Sequence, residues 1–330
     1  MKIIYYDSNI HKLLLEFLQK EYPRRDINYF IWWLKTANES LGEDLTRTFC
    51  IEQDSNIIAC TLAYWSKIKI RDNVDNFYWE ANTIVDPAYR GKGAGRMMYE
   101  HMGQFRDRCT TGFTDTALKI QFKVVKNLKH ISSVGVYLSF TRFFVRALFE
   151  RILKKDLFDE KLLSPESLQC KGIKANRVNA IDEFYAPTSG IWMNDEVEVI
   201  RDKKFINKRF FDIYRSYIIY QLYDSDHIVG YFVVRRTIYM GLNLLSLVDY
   251  RLTSKKYNKA LMRLVAKVAK INRIGIIITL TSQKDFCKFF PLAIKTSKIL
   301  YGGTTMEKMI DGQEFLITSA DADLDFVYYR

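Results

Sequence analysis

The stretch TIVDPAYRGKGAGRMMYEHM, residues 83–102, decides how the rest of the chain is read. It leaves an apolar, β-branched run at Thr83–Val85, passes Asp86-Pro87, and enters R-G-K-G-A-G at Arg90–Gly95. Met97, Met98, His101 and Met102 then lie near one helical face. A strand, a glycine-rich turn and a helix in that order make a physical device. The first turn of a helix offers backbone N–H groups without intrahelical partners, at the positive end of the helix dipole. Gly91, Gly93 and Gly95 permit dihedrals closed to other residues and let a ligand approach without meeting a Cβ. Arg90, Lys92 and Arg96 add charge, so the combination suits a diphosphate. A Walker loop would need G-x-x-x-x-G-K-[ST], and no Ser or Thr follows Lys92. A dinucleotide turn would need G-x-G-x-x-G after a first parallel strand. The spacing here is G-x-G-x-G, and hairpins precede it.

Working outward, residues 8–38 predict two helices separated by Pro23, with Leu13, Leu14, Phe17 and Leu18 in the first and Phe30, Trp33 and Leu34 in the second. TFCIEQ and IIACTLAYWSKIKI flank the polar turn Asp54-Ser55-Asn56 and predict a hairpin; FYWEANTIV predicts a third strand. Behind the glycine turn, residues 94–109 read as helix, TDTALKIQFKVVKNL as another, and Val134–Phe140 as a weak strand. Residues 150–190 are irregular, which sets the expected domains at 1–160 and 161–330. The order then repeats: a helix from Phe205, a hairpin turning at Asp224-Ser225-Asp226, the strand LNLLSLVDYRL, the helix SKKYNKALMRLVAKVAKI, the buried strand RIGIIITLTS and a short helix KDFCKFFPLAI. Val85-Asp86 can be laid on Val248-Asp249 and Met97-Met98 near Leu261-Met262, which suggests an internal duplication. Where the first half has R-G-K-G-A-G, the second has RLTSKKYNKA, without a glycine. One anion site is therefore expected, in the first half.

The chain has 330 residues, 48% of them hydrophobic, and a formal net charge of +12. That length suits two domains. The excess positive charge suits an anionic partner, but Lys and Arg are spread along the whole chain. The densest cluster, Arg146 to Lys155, is short and mixed with apolar residues, so no nucleic-acid partner is expected. Cys50, Cys60, Cys109, Cys170 and Cys287 include no C-x-x-C pair and read as reduced structural thiols. No signal-peptide layout opens the chain, and no apolar run approaches the roughly 18 residues of a membrane span. The expectation is a soluble, cytoplasmic protein. Asp321, Asp323 and Asp325 lack the Gly and closing Glu of a calcium loop and read as a solvated tail, so no metal is expected.

V-D-P-A-Y-R-G-K-G-A-G, Val85 to Gly95, resembles the acetyl-CoA signature [QR]-x-x-G-x-[GA] of the GNAT superfamily of acyl-CoA N-acyltransferases, filled here by Arg90, Gly93 and Gly95. The element order over about 140 residues fits as well. The resemblance implies an α/β (α+β) fold with two GNAT-like domains, the second degenerate, each a mixed, mainly antiparallel sheet flanked by helices. It also implies acetyl-CoA, or another acyl-CoA, as cosubstrate. Backbone groups of Thr83, Ile84 and Val85 would meet the pantetheine arm; Arg90, Gly91, Lys92, Gly93, Ala94, Gly95 and Arg96 would hold the pyrophosphate. In direct transfer an amine attacks the thioester, loses a proton, and needs a donor at the carbonyl oxygen. Glu80 is the nearest carboxylate on the strand, and Asn82 shares its face by strand parity unless a bulge intervenes. The family often carries an acidic tyrosine on the following helix, where this chain has Gln121; Tyr89 and Tyr137 are substitutes. His101, among methionines, reads as packing. The short acidic tail and layout resemble tandem acyltransferases of bacterial surface-polysaccharide pathways, which implies an amino-sugar acceptor, free or nucleotide-linked. Protein or small-amine acetylation, or a non-catalytic acyl-CoA-binding module, are the alternatives.

Overall fold

The computed structural model describes the chain apart from residues 24, 40–47, 71–72, 105–107, 112–113, 125–127, 153–161, 187–191, 193–196, 213–215, 240, 284–287, 303–314 and 322–330. Its elements are β1 (Lys2–Tyr5), α1 (His11–Glu21), α2 (Ile27–Glu39), β2 (Phe49–Gln53), β3 (Asn56–Ile70), β4 (Asn73–Val85), α3 (Ala94–Met102), β5 (Arg108–Thr111), α4 (Asp115–Val124), β6 (Leu128–Phe140) and α5 (Phe144–Ile152). There follow β7 (Ser167–Cys170), β8 (Ile173–Val178), β9 (Val197–Val199), α6 (Lys203–Ile206), β10 (Ile218–Asp224), β11 (His227–Tyr239), β12 (Leu242–Leu252), α7 (Asn258–Ile271), β13 (Ile276–Thr281), β14 (Leu292–Gly302) and β15 (Phe315–Leu316). The chain divides into two compact units, residues 1–132 with 297–313 and residues 133–296 with 314–330. Neither is one continuous segment, whereas the sequence reading places a single boundary at 160.

In the first unit β1, β2, β3 and β4 follow one another antiparallel, β4 pairs parallel with β5, and Ile299–Gly302 of β14 pairs antiparallel with β5. α1 buries Leu14, Phe17 and Leu18, at i, i+3 and i+4. α3 buries Ala94, Met98, Tyr99 and Met102 in a cluster with Phe49, Ile51, Ile58 and Ala59. Deleting a buried side chain such as Met98 would cost about 2–5 kcal/mol. His101 packs its ring 4.7 Å from that of Phe49 and bonds the Tyr5 hydroxyl at 2.9 Å, while burial lowers its pKa, as a packing residue's would be. Cys50 and Cys60 are buried, free and opposite each other in β2 and β3.

In the second unit Gly135–Phe140 of β6 pairs antiparallel with β13, β13 parallel with β12, and β12, β11, β10, β8 and β7 continue antiparallel. α7 buries Leu261, Leu264, Val265, Val268 and Ala269 against that sheet.

Four expectations are corrected. Arg108 and Cys109, read as the tail of a helix, open the strand β5: Arg108 is buried because Glu80 is beside it, a fact invisible to local pattern. Residues 150–190 contain the β7–β8 hairpin. Leu292–Ile294, read as helix, lie in β14. Thr318, Ser319, Ala320 and Asp321, read as a solvated tail, are buried; Asp323, Asp325 and Cys287 lie outside the described residues.

Candidate active site

β4 and β5 pair only as far as Glu80 opposite Thr110. Beyond that point β4 keeps its neighbour β3 but has no described strand on its other edge. Between Ala81 (opposite Leu62) and Ile84 (opposite Cys60) stand Asn82 and Thr83, against Thr61 alone. That is a β-bulge, and Asn82 takes the left-handed conformation, φ 52°, which Asn tolerates better than most residues. Its side chain holds the conformation from two sides: Arg25 Nη1 donates to Asn82 Oδ1, and Asn82 Nδ2 donates to the Tyr29 hydroxyl at 2.5 Å. The Arg25 guanidinium lies over the Tyr22 and Tyr29 rings at 5.0 and 5.1 Å. The Thr61 and Thr83 hydroxyls meet at 2.7 Å. The bulge interrupts strand parity, so the side chains of Glu80 and Asn82 go to different partners.

Glu80 lies 2.6 Å from Arg108 Nη1, both side chains 1% exposed. Burial raises the Glu80 pKa, and the Arg108 charge opposes the rise. Burial likewise pushes the Tyr99 hydroxyl up to about 12, with the Glu80 charge adding to it and Gln121 hydrogen-bonding the oxygen. Gln121, at the position of the family's acid, is 1% exposed. Arg25, Tyr29, Tyr99 and Arg108 escape sequence reading: each is defined by a partner far along the chain.

The strand then enters the glycine turn. Asp86 Oδ1 accepts from Ala88 N at 2.8 Å and Asp86 Oδ2 from Lys20 Nζ at 2.8 Å, which fixes the exit from β4. Gly91 and Gly93 have φ of 78° and 94°, and a Cβ on either would meet nothing within 4 Å. Their backbones are required to be glycine by dihedral, and they face open space. Gly93 caps α3 without a side-chain hydrogen bond, and the first backbone bond of the helix runs from Met97 N to Gly93 O at 3.0 Å. Among the described residues no backbone acceptor takes the N–H of Gly91, Gly93, Ala94, Gly95 or Arg96. Around them Arg90 Nε donates to Val85 O at 3.2 Å, Lys92 lies 5.2 Å from the Tyr89 ring centre, and Arg96 pairs with Glu100 at 2.7 Å. With the Val85 carbonyl taken, the free edge of β4 is centred on Thr83 and Ile84. The first unit thus assembles every expected residue except Tyr137. That residue belongs to the second unit, where its ring lies across Gly135, against the core and 6.5 Å from the Phe290 ring.

The second unit repeats the scaffold and closes it. β12 and β13 part after Leu247 opposite Thr279, and β12 carries its own bulge at Val248. The edge beyond is occupied by the chain itself. Ala320 N donates to Val248 O at 3.1 Å, Ser282 N to Ile317 O at 3.0 Å, and Thr318 bridges Thr281. Asp249 accepts from Arg201 at 2.9 and 3.2 Å, Arg251 at 3.1 Å, Thr318 at 2.6 Å and Tyr231 at 2.6 Å. Arg201 also pairs with Asp321 at 2.9 Å, and Arg251 with Glu198 at 2.7 Å. Burial alone would raise the Asp249 pKa; Arg201 and Arg251 hold it at about 2. Superposing the bulges matches Ala81 to Leu247, so Asp86 and Asp249 are not equivalents, and the shared Val-Asp is coincidence. At the turn, Ser254 Oγ accepts from Lys256 N, and the buried Tyr257 donates to Asp224 at 2.9 Å.

Residues 8–111 match the acetyltransferase (GNAT) family. No curated protein matches the chain closely enough to count as a relative. Among solved structures, the chain is similar to a GCN5-related N-acetyltransferase from Anabaena variabilis (12% identity, TM-score 0.59, covering 91% of this chain and 72% of that one). A conserved protein of unknown function from Enterococcus faecalis is comparable (12%, 0.63, 91% and 71%). So is Saccharomyces cerevisiae N-myristoyltransferase with bound myristoyl-CoA (14%, 0.55, 92% and 78%). At such identities these structures share the fold alone. The segment at residues 8–111, which carries the bulge, the open strand edge and the glycine turn, is thus the part of the chain that matches the acetyltransferase (GNAT) family.

Proposed function

We propose that this protein transfers an acetyl group from acetyl-CoA to the primary amine of an amino sugar, free or nucleotide-linked, in bacterial surface-polysaccharide synthesis in the cytoplasm. The observation that carries the acyl-transfer part is the open edge of β4 beyond Glu80, running into the N–H groups of Gly91, Gly93, Ala94, Gly95 and Arg96, which find no backbone acceptor among the described residues. The pantetheine arm lies along Thr83 and Ile84 as an added strand, and the pyrophosphate lies on the turn, where dipole and cations favour it. At the bulge, the backbone presents an N–H toward the thioester carbonyl and stabilises the charge that develops there. Asn82 contributes by holding the bulge through Arg25 and Tyr29. Glu80 is reached through water, since its side chain is buried; the same burial raises its proton affinity, as a base requires.

The amino-sugar acceptor rests on the resemblance to tandem acyltransferases of polysaccharide pathways. Release of CoA thiol, followed with nucleotide-linked and free amino sugars, peptide N-termini and small amines, tests it. Turnover with a sugar amine and none with peptides is expected; turnover confined to peptides or polyamines would overturn the acceptor while leaving acyl transfer intact. Glu80→Gln is expected to lower kcat roughly a hundredfold with the KM for acetyl-CoA little changed.

A further inference from the structure

We propose that the outward face of α5, in the second unit, docks the protein on an anionic lipid surface. On this nine-residue helix Val145, Leu148, Phe149 and Ile152 recur at i, i+3, i+4 and i+7, the spacing that normally marks a buried stripe. Here the stripe points outward, its members 37–73% exposed, while Ala147 is the residue turned into the unit. Phe140, 41% exposed, extends the patch through its ring contact with Phe144 at 4.8 Å. The helix is held rigidly from behind. Thr141 N donates to Gly275 O at 2.8 Å and Thr141 Oγ1 to Ile274 O at 2.7 Å. A Cβ at Gly275 would lie 2.5 Å from the Phe143 carbonyl oxygen, so only glycine admits this approach. Exposed apolar side chains in a contiguous patch on a fixed helix mark an interaction surface.

Charge identifies the occupant. Arg142 and Arg146 are exposed on one flank of the stripe and Arg151 on the other. An apolar stripe between arginines fits the boundary between anionic headgroups and acyl chains: the stripe enters, and the guanidiniums stay among the phosphates. A second copy of the chain would bring arginines against arginines, in a protein already at +12. No helix among the described residues is long and apolar enough to cross a membrane, so the contact is with the surface.

Vesicle flotation tests this with the full chain, comparing phosphatidylcholine with an equimolar mixture of phosphatidylcholine and phosphatidylglycerol. Partition onto the anionic vesicles is expected to be roughly a hundredfold stronger and to weaken with added salt. It should fall to the neutral-vesicle level in Phe149→Ser/Ile152→Ser and in Arg142→Glu/Arg151→Glu, both on exposed positions, with thermal unfolding unchanged. Failure of the wild type to float with either vesicle would overturn the proposal. So would binding that survives Phe149→Ser/Ile152→Ser, which would assign it to net charge elsewhere. A wild-type dimer in sedimentation that the same variant converts to monomer would give the patch to a second copy. The salt titration of the wild type decides the electrostatic part even if a variant misfolds.

Discussion

The strand edge beyond Glu80 in the first unit and the edge beyond Leu247 in the second begin from the same arrangement: a parallel pair ends, a bulge follows, and a helix starts thirteen residues after Ala81 or eleven after Leu247. They end differently. On the first, no described strand continues the pairing, and among the described residues the N–H groups of Gly91, Gly93, Ala94, Gly95 and Arg96 find no backbone acceptor beside two glycines with positive φ. On the second, residues 317–321 lie along the edge, a buried set of charges fastens them, and Ser254 and Tyr257 occupy the turn. A strand edge left open, as proposed here for a cofactor, and one filled by its own polypeptide differ little in backbone. The difference lies in which side chains complete the hydrogen bonds. Among the described residues the N-terminal edge leaves them open, and the C-terminal edge makes them internally.

Breaking the closed side should cost most. Asp249→Ala leaves Arg201 and Arg251 short of their shared carboxylate inside the unit, and about 3–5 kcal/mol of stability should be lost in urea unfolding. The same residue gives an acid signature. Its folded pKa of about 2 lies below the ordinary value near 3.9, so its contribution is present above pH 4 and lost as pH falls toward 2. That contribution is about 2 kcal/mol, and an Asp249→Asn variant should show a correspondingly flatter stability profile over that interval.

On the open side, Gly93→Ala puts a Cβ on a residue at φ 94°. Strain of about 1–2 kcal/mol is relieved only by moving the turn, which should weaken acetyl-CoA roughly tenfold in calorimetric titration and lower unfolding stability by no more than that strain. Lys256→Gly at the corresponding turn of the second unit should leave cofactor binding unaltered. The smallest effect is expected at Lys92, an exposed cation with no described ion pair: Lys92→Ala should weaken acetyl-CoA by only a few-fold, and less at high salt.

Much of the first unit was legible because its signals are local. Helical spacing from Leu13 to Leu34, the turn at Asp54–Asn56 and the glycines at 91, 93 and 95 each declare themselves within a few residues. The bulge at Asn82 does not, because a bulge is a relation between two strands; only the tolerance of Asn for a left-handed backbone hints at it. β5 was missed because R-C-T-T is short and polar, and Arg108 is buried only by virtue of Glu80. The segment at 317–321 has the composition of a tail, and its burial depends on Arg201, Arg251 and Asp249, each at least 66 residues away. Partnered charges in cores defeat pattern reading, since a solvated Asp and a buried, paired one look alike in sequence. The match of Val85-Asp86 to Val248-Asp249 failed for a related reason: a shared dipeptide is weaker than the register of a sheet.

The central claim is that the chain holds one acyl-CoA, on the first unit. Calorimetric titration of acetyl-CoA into the full-length protein tests it directly, beside the Gly93→Glu/Gly95→Glu variant, with circular dichroism confirming that both are folded. One molecule bound per chain by the wild type and none by the variant is the predicted result. Two per chain, or one that persists in the variant, would contradict it by showing that the second edge, closed by residues 317–321, takes cofactor after all.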